Sequence, residues 1–279
     1  MSEPLARLVE TWHQACADFV ALVRDLSEDE GELPTDLSGW SVRDNVAHTA
    51  HLEAVLAGAP EETLEVPRAE HLRGPMSYYT EQGVLARREH DLARLADEIE
   101  SSVRTRHAAL QADPPTDPSA LAEKTPGGVP WTVGTLLSNR PLDVWMHEQD
   151  VRRAVDRPGG YDSPAALHTI ETLAAGLPMV VGKRVSPPAG TTVRLEVPDA
   201  GLTRTVRVGE DGRASLLDGA DGPNSSNGPD CEPTTTLRLS AEDFVVLAGG
   251  RRTPEQTTAS IEGDEELGQR VLESLAITP

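Results

Sequence analysis

Cysteine is nearly absent from this chain, with only Cys16 and Cys231 among 279 residues. No CxxC occurs, which excludes a thiolate zinc site of the finger or ribbon kind. Two distant thiols do not make the disulfide framework of a secreted scaffold. Cys16 falls in an apolar periodic stretch and is expected to be a small buried hydrophobe. Cys231 falls in a Gly/Asn/Ser/Pro-rich loop. Aromatics are scarce too, with two Phe and three Tyr, so the cores must rest on aliphatic and alanine packing. The opening MSEPLARLVETWHQ lacks the cationic start and apolar centre of a secretory signal. No apolar run approaches the ~18 residues of a membrane span. The expectation is a cytoplasmic protein without a membrane partner. Basic residues are outnumbered, 25 Lys and Arg against 46 Asp and Glu, for a formal charge of −21. Such an acidic chain is not expected to bind nucleic acid.

The length suggests about two domains of ~150 residues. Pro158, Gly159, Gly160 and Pro164 mark a boundary, giving domains over 1–157 and 162–279. In the first, Leu5, Leu8, Val9, Trp12, Phe19, Leu22 and Val23 recur at helical period. His13 lies beside that stripe as an ordinary helix-surface residue. SEDEGELPTDLSGW is loop by composition. Ser41 and Asp44 then resemble a capping box opening a second helix. Residues 79–110 read as a helix broken near His90, with Leu85, Leu92, Leu95, Ile99, Val103 and Leu110 as its buried stripe. Its arginines, Arg87, Arg88, Arg94, Arg104 and Arg106, read mostly as solvated face, with one or two free to hold an anionic ligand. With residues 131–155 this makes a four-helix bundle. Beyond the boundary, residues 165–181 read as helix, and TTVRLEV, TRTVRV and TTTLRL alternate as strands do. Ser240 caps AEDFVVLAGG, Ile261 starts an edge strand, and residues 264–275 form a terminal helix. This half is expected to be a small α+β domain with a mostly antiparallel sheet.

Chemistry concentrates in WTVGTLLSNRPLDVWMHEQDVRRAV. Asp143 and His147 stand four residues apart, which puts both on one helix face. A carboxylate and an imidazole so placed can grip one divalent metal, and the same pair is also common on solvated helices. Asp150 follows His147 by three and could orient an imidazole. A third ligand must come from elsewhere. The second helix offers His48, which points toward the bundle interior, and His51, about 60° round the helix wheel and near enough to line the same cavity. Both read equally well as interfacial histidines.

Several stretches taken together resemble a known family. WSVRDNVAHTAHLEAVLAG is similar to the second-helix motif of the DinB-like, mycothiol-dependent maleylpyruvate isomerases. PLDVWMHEQDVRRAVDRPGG resembles that family's last bundle helix. LSAEDFVVLAGGRR and IEGDEELGQRVLESLAITP resemble its small sterol-carrier-like domain. The resemblance implies a divalent metal, typically zinc, held by His48, Asp143 and His147. It implies mycothiol as cofactor or co-substrate, with Arg87, Arg88 and His51 as candidates to contact it. It also implies a catalytic arginine from the second domain, matched by Arg251 with Arg252 adjacent. One departure is visible. The isomerase pattern has Glu where this chain has Asp143, a shorter carboxylate that still suits a metal and moves it by about a methylene.

The activity so implied is addition of a metal-activated thiolate to an electrophilic small molecule, as a mycothiol S-transferase or a cis–trans isomerase. The alternatives are a hydrolase using metal-bound water and a non-catalytic small-ligand module. Nickel, iron or manganese would also suit a two-histidine, one-carboxylate site. The expected oligomeric state is a monomer, with a homodimer as the alternative.

Overall fold

Helix boundaries in the first half follow capping chemistry. A computed structural model describes residues 2–217 and 232–278; Cys231 and the polar loop before it lie outside them. Helix α1 (Glu3–Arg24) buries Leu5, Val9, Trp12, Cys16, Phe19 and Val23 along one stripe. In the stretch expected to be loop, Ser27 and Glu30 form a capping box around a single turn, α2 (Glu28–Gly31). Helix α3 (Val42–Leu56) starts at the expected box. Ser41 Oγ accepts from the Asp44 N–H at 3.2 Å, and Asp44 Oδ2 accepts from the Ser41 N–H at 3.0 Å. Residues 79–110 divide into α4 (Pro75–Arg87) and α5 (Leu92–Ala112). The break is at His90 because Asp91 caps α5, accepting from the Arg94 N–H at 2.7 Å. Thr132 caps α6 (Val133–Ala154) in the same way, at 3.1 Å from the Thr135 nitrogen.

Helices α1 and α3 each pack against both α5 and α6, which closes a four-helix bundle, while α4 lies along α3. The close approach of α4 needs Gly83. A Cβ there would fall 2.1 Å from Cγ of His51, whose ring fills the space. Gly83→Ala is therefore expected to destabilise the protein by about 1–3 kcal/mol through overpacking. His51→Ala should recover most of that loss in the double variant, as measured by urea denaturation. Simple additivity of the two changes would refute the contact.

Two arginines expected on the solvated face are internal. Arg87 is buried between Glu98, at 2.7 Å, and Glu62, at 3.1 Å. Arg106 is buried against Glu53, at 3.4 Å, with its guanidinium 4.6 Å from the centre of the Trp12 ring. A guanidinium tolerates burial when carboxylates and an aromatic face replace its water.

The chain divides into two compact units, Met1–Ala166 and Leu167–Pro279. The loop after α6 belongs to the first, with the indole of Trp145 donating to the Gly160 carbonyl at 3.0 Å. The division falls within α7 (Pro164–Ala174), which is followed by a single turn, α8 (Leu177–Met179), and a π-helical turn at Val180–Val185. Together Pro164–Val185 is long and apolar enough to cross a membrane by length and composition. That corrects the expectation that no such segment exists. Ile170, Leu173, Leu177, Val180 and Val181 are buried, however, as in the core helix of a domain.

The sheet of the second unit comprises β1 (Thr192–Val197), β2 (Leu202–Val208), β3 (Ala214–Leu216), β4 (Thr235–Arg238) and β5 (Ser260–Gly263), in the order β3-β2-β1-β4-β5. Alternation puts Val193, Leu195 and Val197 of β1 into the core beside Val206 and Leu237. Three pairings are antiparallel and the β1–β4 pairing is parallel, so the sheet is mixed. Ser240 caps α9 (Ala241–Ala248), and α10 (Glu265–Glu273) packs on β4 and β5.

Candidate metal centre

Asp143 and His147 share one face of α6, and His48 meets them from α3 although it lies 95 positions earlier in the chain (143 − 48). His48 Nε2 is 3.7 Å from Asp143 Oδ2, and His147 Nε2 is 3.8 Å from Asp143 Oδ1. One ligand atom from each residue lies within 4.8 Å of the other two. A tetrahedral ion about 2.1 Å from each donor would set them about 3.4 Å apart. The two nitrogen–carboxylate distances are thus a few tenths of an ångström longer than that, and they run to different oxygens of Asp143. Both imidazoles are buried, while the Asp143 side chain keeps 22 % exposure and opens one side to solvent.

The protonation states suit a cation. Burial, then the neighbouring His147, lowers the His48 pKa to about 4, so its ring is neutral near pH 7. Burial alone would raise the Asp143 carboxyl. Arg140, helped by His48 and His147, reverses this and holds it well below the usual range. A neutral imidazole and an ionised carboxylate are donors that a divalent ion requires.

Residues that the sequence reading passed over hold this set in place. The Nδ1 of His147 is 2.8 Å from Asn45 Oδ1. Asn45 directs its NH2 to the Ser41 carbonyl, at 2.9 Å, and to Thr35 Oγ1, at 3.2 Å, which leaves Oδ1 as the acceptor. His147 therefore carries a proton on Nδ1, and its Nε2 faces Asp143. Asp150, expected in this orienting role, is 3.5 Å from the same nitrogen, but its carboxylate also takes a hydrogen bond from Arg153. Asn45 left one signal in the sequence, as a poor helix former three residues before His48 on the same face.

Arg140 is fully buried and donates to Asp143 Oδ2 at 2.9 Å. It also grips Glu53 Oε1 through Nε at 3.0 Å and Nη2 at 2.8 Å. Within α6, Pro141 lacks an N–H, so the Leu137 carbonyl has no helical donor beside the site. The Trp40 ring lies 5.0 Å from His48 and 5.9 Å from His147. Its indole N–H donates to Glu81 at 2.9 Å, and Glu81 in turn accepts from Arg88 at 3.1 Å.

The candidates of the first unit, Arg87, Arg88 and His51, are not members of the triad. Arg88 is linked to it indirectly, through Glu81 and Trp40, and its Nε is held by Asp44 at 3.0 Å. Arg87 is enclosed by Glu98 and Glu62. His51 is fully buried against Gly83, 5.5 Å from the Tyr79 ring, and neither ring nitrogen has a hydrogen-bond partner among the described residues. Arg251 belongs to the second unit. Gly250, at φ 66°, ends α9 in the left-handed conformation, and the Arg251 N–H caps the Val246 carbonyl at 2.8 Å. Its Nη1 donates to the Gly249 carbonyl at 2.7 Å.

Burial, then Arg87, lowers the His51 pKa to about 3. The unfolded chain therefore binds a proton below pH ~6.5 that the folded protein refuses. Stability from this group is complete above pH ~6.5 and declines as pH falls toward 3. At pH 4 the loss is about 3 kcal/mol. Metal-free protein should lose more urea resistance between pH 7 and pH 4.5 than the His51→Leu variant. Equal losses would show that His51 does not titrate as described.

Two family models match the chain. The Mycothiol maleylpyruvate isomerase N-terminal domain covers residues 12–152, and the MDMPI C-terminal domain covers residues 168–270. Among solved structures, the crystal structure of the mycothiol-dependent maleylpyruvate isomerase matches at a TM-score of 0.57 and 18 % identity, covering 92 % of this chain and 93 % of that one. A histidine-to-alanine mutant of that isomerase matches at a TM-score of 0.55 and 16 % identity, with the same coverage. At these identities the likeness concerns the fold. No curated protein matches the chain.

Proposed function

Since the chain belongs to the mycothiol-dependent maleylpyruvate isomerase family, we propose that it is a divalent-metal enzyme that activates mycothiol for addition to an electrophilic small molecule, as an isomerase or an S-transferase. The observation that carries this is the convergence of His48, Asp143 and His147 in the bundle interior, with the His48 ring neutral and the Asp143 carboxyl ionised. The donor set fits zinc, and nickel is the next candidate. His48, Asp143 and His147 would hold the ion, and the ion would supply the positive charge that lowers the pKa of a thiol bound beside it.

The chain's own residues do the rest. Asn45 fixes the His147 tautomer, so the ring presents Nε2 to the centre. Arg140 orients Asp143 from behind and offsets its charge. Trp40 shields both imidazoles from water on one side. We assign Arg251 to hold a substrate carboxylate, a task that suits a planar guanidinium. No protein thiol is needed, and Cys16, fully buried with its pKa raised by that burial, is unreactive. Of the two neighbouring arginines, Arg88, with 40 % of its side chain exposed, is better placed to meet mycothiol than Arg87.

Calorimetric titration of mycothiol into protein with and without chelator tests this reading. Binding should require the metal, and turnover of an activated alkene should require the thiol. The Arg251→Ala variant should keep its metal and lose most turnover. Mycothiol-independent hydrolysis of esters would point instead to a metal-bound water as nucleophile.

A further inference from the structure

A second set of metal-competent side chains lies where α1 meets α5, away from the buried triad. Glu10 and His13 project from one face of α1 at i, i+3, and His107 comes from α5. One ligand atom from each of the three lies within 4.8 Å of the others. Glu10 Oε1 is 3.2 Å from His107 Nε2. The two imidazoles stack with centres 4.1 Å apart and planes inclined at 14°. Gln111, one turn beyond His107, places its amide nitrogen 3.1 Å from Glu10 Oε1 and 3.3 Å from His107 Nε2. We propose that Glu10, His13 and His107 form a second, solvent-accessible divalent-cation site that fastens α1 to α5, with Gln111 at its edge.

The chemistry selects the ion. Two imidazole nitrogens and one carboxylate favour zinc, nickel, cobalt or copper over magnesium or calcium, which prefer all-oxygen shells. The position is reachable, since the Glu10 side chain is 59 % exposed. Two protonated rings could not stack this closely without repulsion. Burial and then His107 lower the His13 pKa, which keeps its lone pair available. One cation shared by both rings would bring positive charge without that repulsion. The nearly parallel planes mean that the lone pairs do not yet converge. Binding requires the rings to splay, a rotation that surface side chains make in nanoseconds or less. The same helices already meet in the core, so the site would act as a brace. It is independent of the reaction proposed for the triad.

The test is titration of Zn2+ into the metal-free, untagged full-length protein. The expected result is a tight ion and a weaker one per chain. His107→Ala and Glu10→Gln should remove the weaker ion and leave the tight one. His147→Ala should do the reverse. In the His147→Ala background, Zn2+ should still raise the melting temperature, and adding His107→Ala should abolish that rise. Saturation of the wild-type protein at one ion overturns the proposal. So does a second equivalent that survives in the His13→Ala/His107→Ala double variant, because binding would then come from the acidic surface at large.

Discussion

His147→Ala abolishes the tightly held metal ion. This is the expected result of elemental analysis after dialysis, where the unaltered protein should retain about one such ion per chain at the triad. Removing one of three ligands leaves His48 and Asp143, and two donors do not hold a divalent ion against water. Nor can Asp143 compensate, because its Oδ2 already accepts from Arg140 at 2.9 Å. A graded companion variant is Asn45→Ala. It leaves every ligand in place but frees the His147 ring to change tautomer and rotate. Loss of such a partner weakens metal binding by about 10–100-fold. Full occupancy in His147→Ala would remove the triad from consideration. An unaltered affinity in Asn45→Ala would show that the 2.8 Å contact to His147 does not set the ring.

Glu53→Ala should be the most destabilising single change in the bundle. Glu53 is fully buried and serves Arg140 at 2.8 Å and Arg106 at 3.4 Å, both of them buried guanidiniums. Its removal leaves positive charge in the interior with only Asp143 to balance Arg140. Breaking a buried pair from one side costs about 3–5 kcal/mol. Urea denaturation of metal-free protein isolates this term from ligand binding. A loss below about 1 kcal/mol, typical of an exposed pair, would mean that water enters the cluster. The same variant should bind metal more weakly, because Arg140 is then free to commit wholly to Asp143 and compete with the cation. Replacing Glu53 and Arg140 together by apolar residues of similar volume should restore stability but not the affinity, which separates the two roles.

Much of this molecule is set by local chemistry that a sequence displays. The capping groups Ser41 and Ser240, the break at His90 before Asp91, and the strands TTVRLEV and TRTVRV depend on residues a few positions apart, so near neighbours suffice to predict them. The Asp143–His147 pair is legible for the same reason, since helical period alone puts the two on one face. His48 could be offered as a partner, but its distance to Asp143 is a property of how α3 packs on α6.

What only the tertiary structure decided are the contacts between elements far apart in the chain. Asn45 reaching His147, Glu53 gripping Arg140 and Arg106, and Gly83 yielding to His51 each join positions that no local rule connects. The one parallel pairing among the described strands of the mostly antiparallel sheet, β1 with β4, is likewise long-range. So is the burial of Arg87 and Arg106, because an arginine's exposure depends on whether distant carboxylates arrive to replace its water. The sequence by itself displayed the main helices, most of the strands and the Asp143–His147 pair. Packing decided the third donor's place, the tautomer it meets across the bundle, and the charges that hold the centre in position.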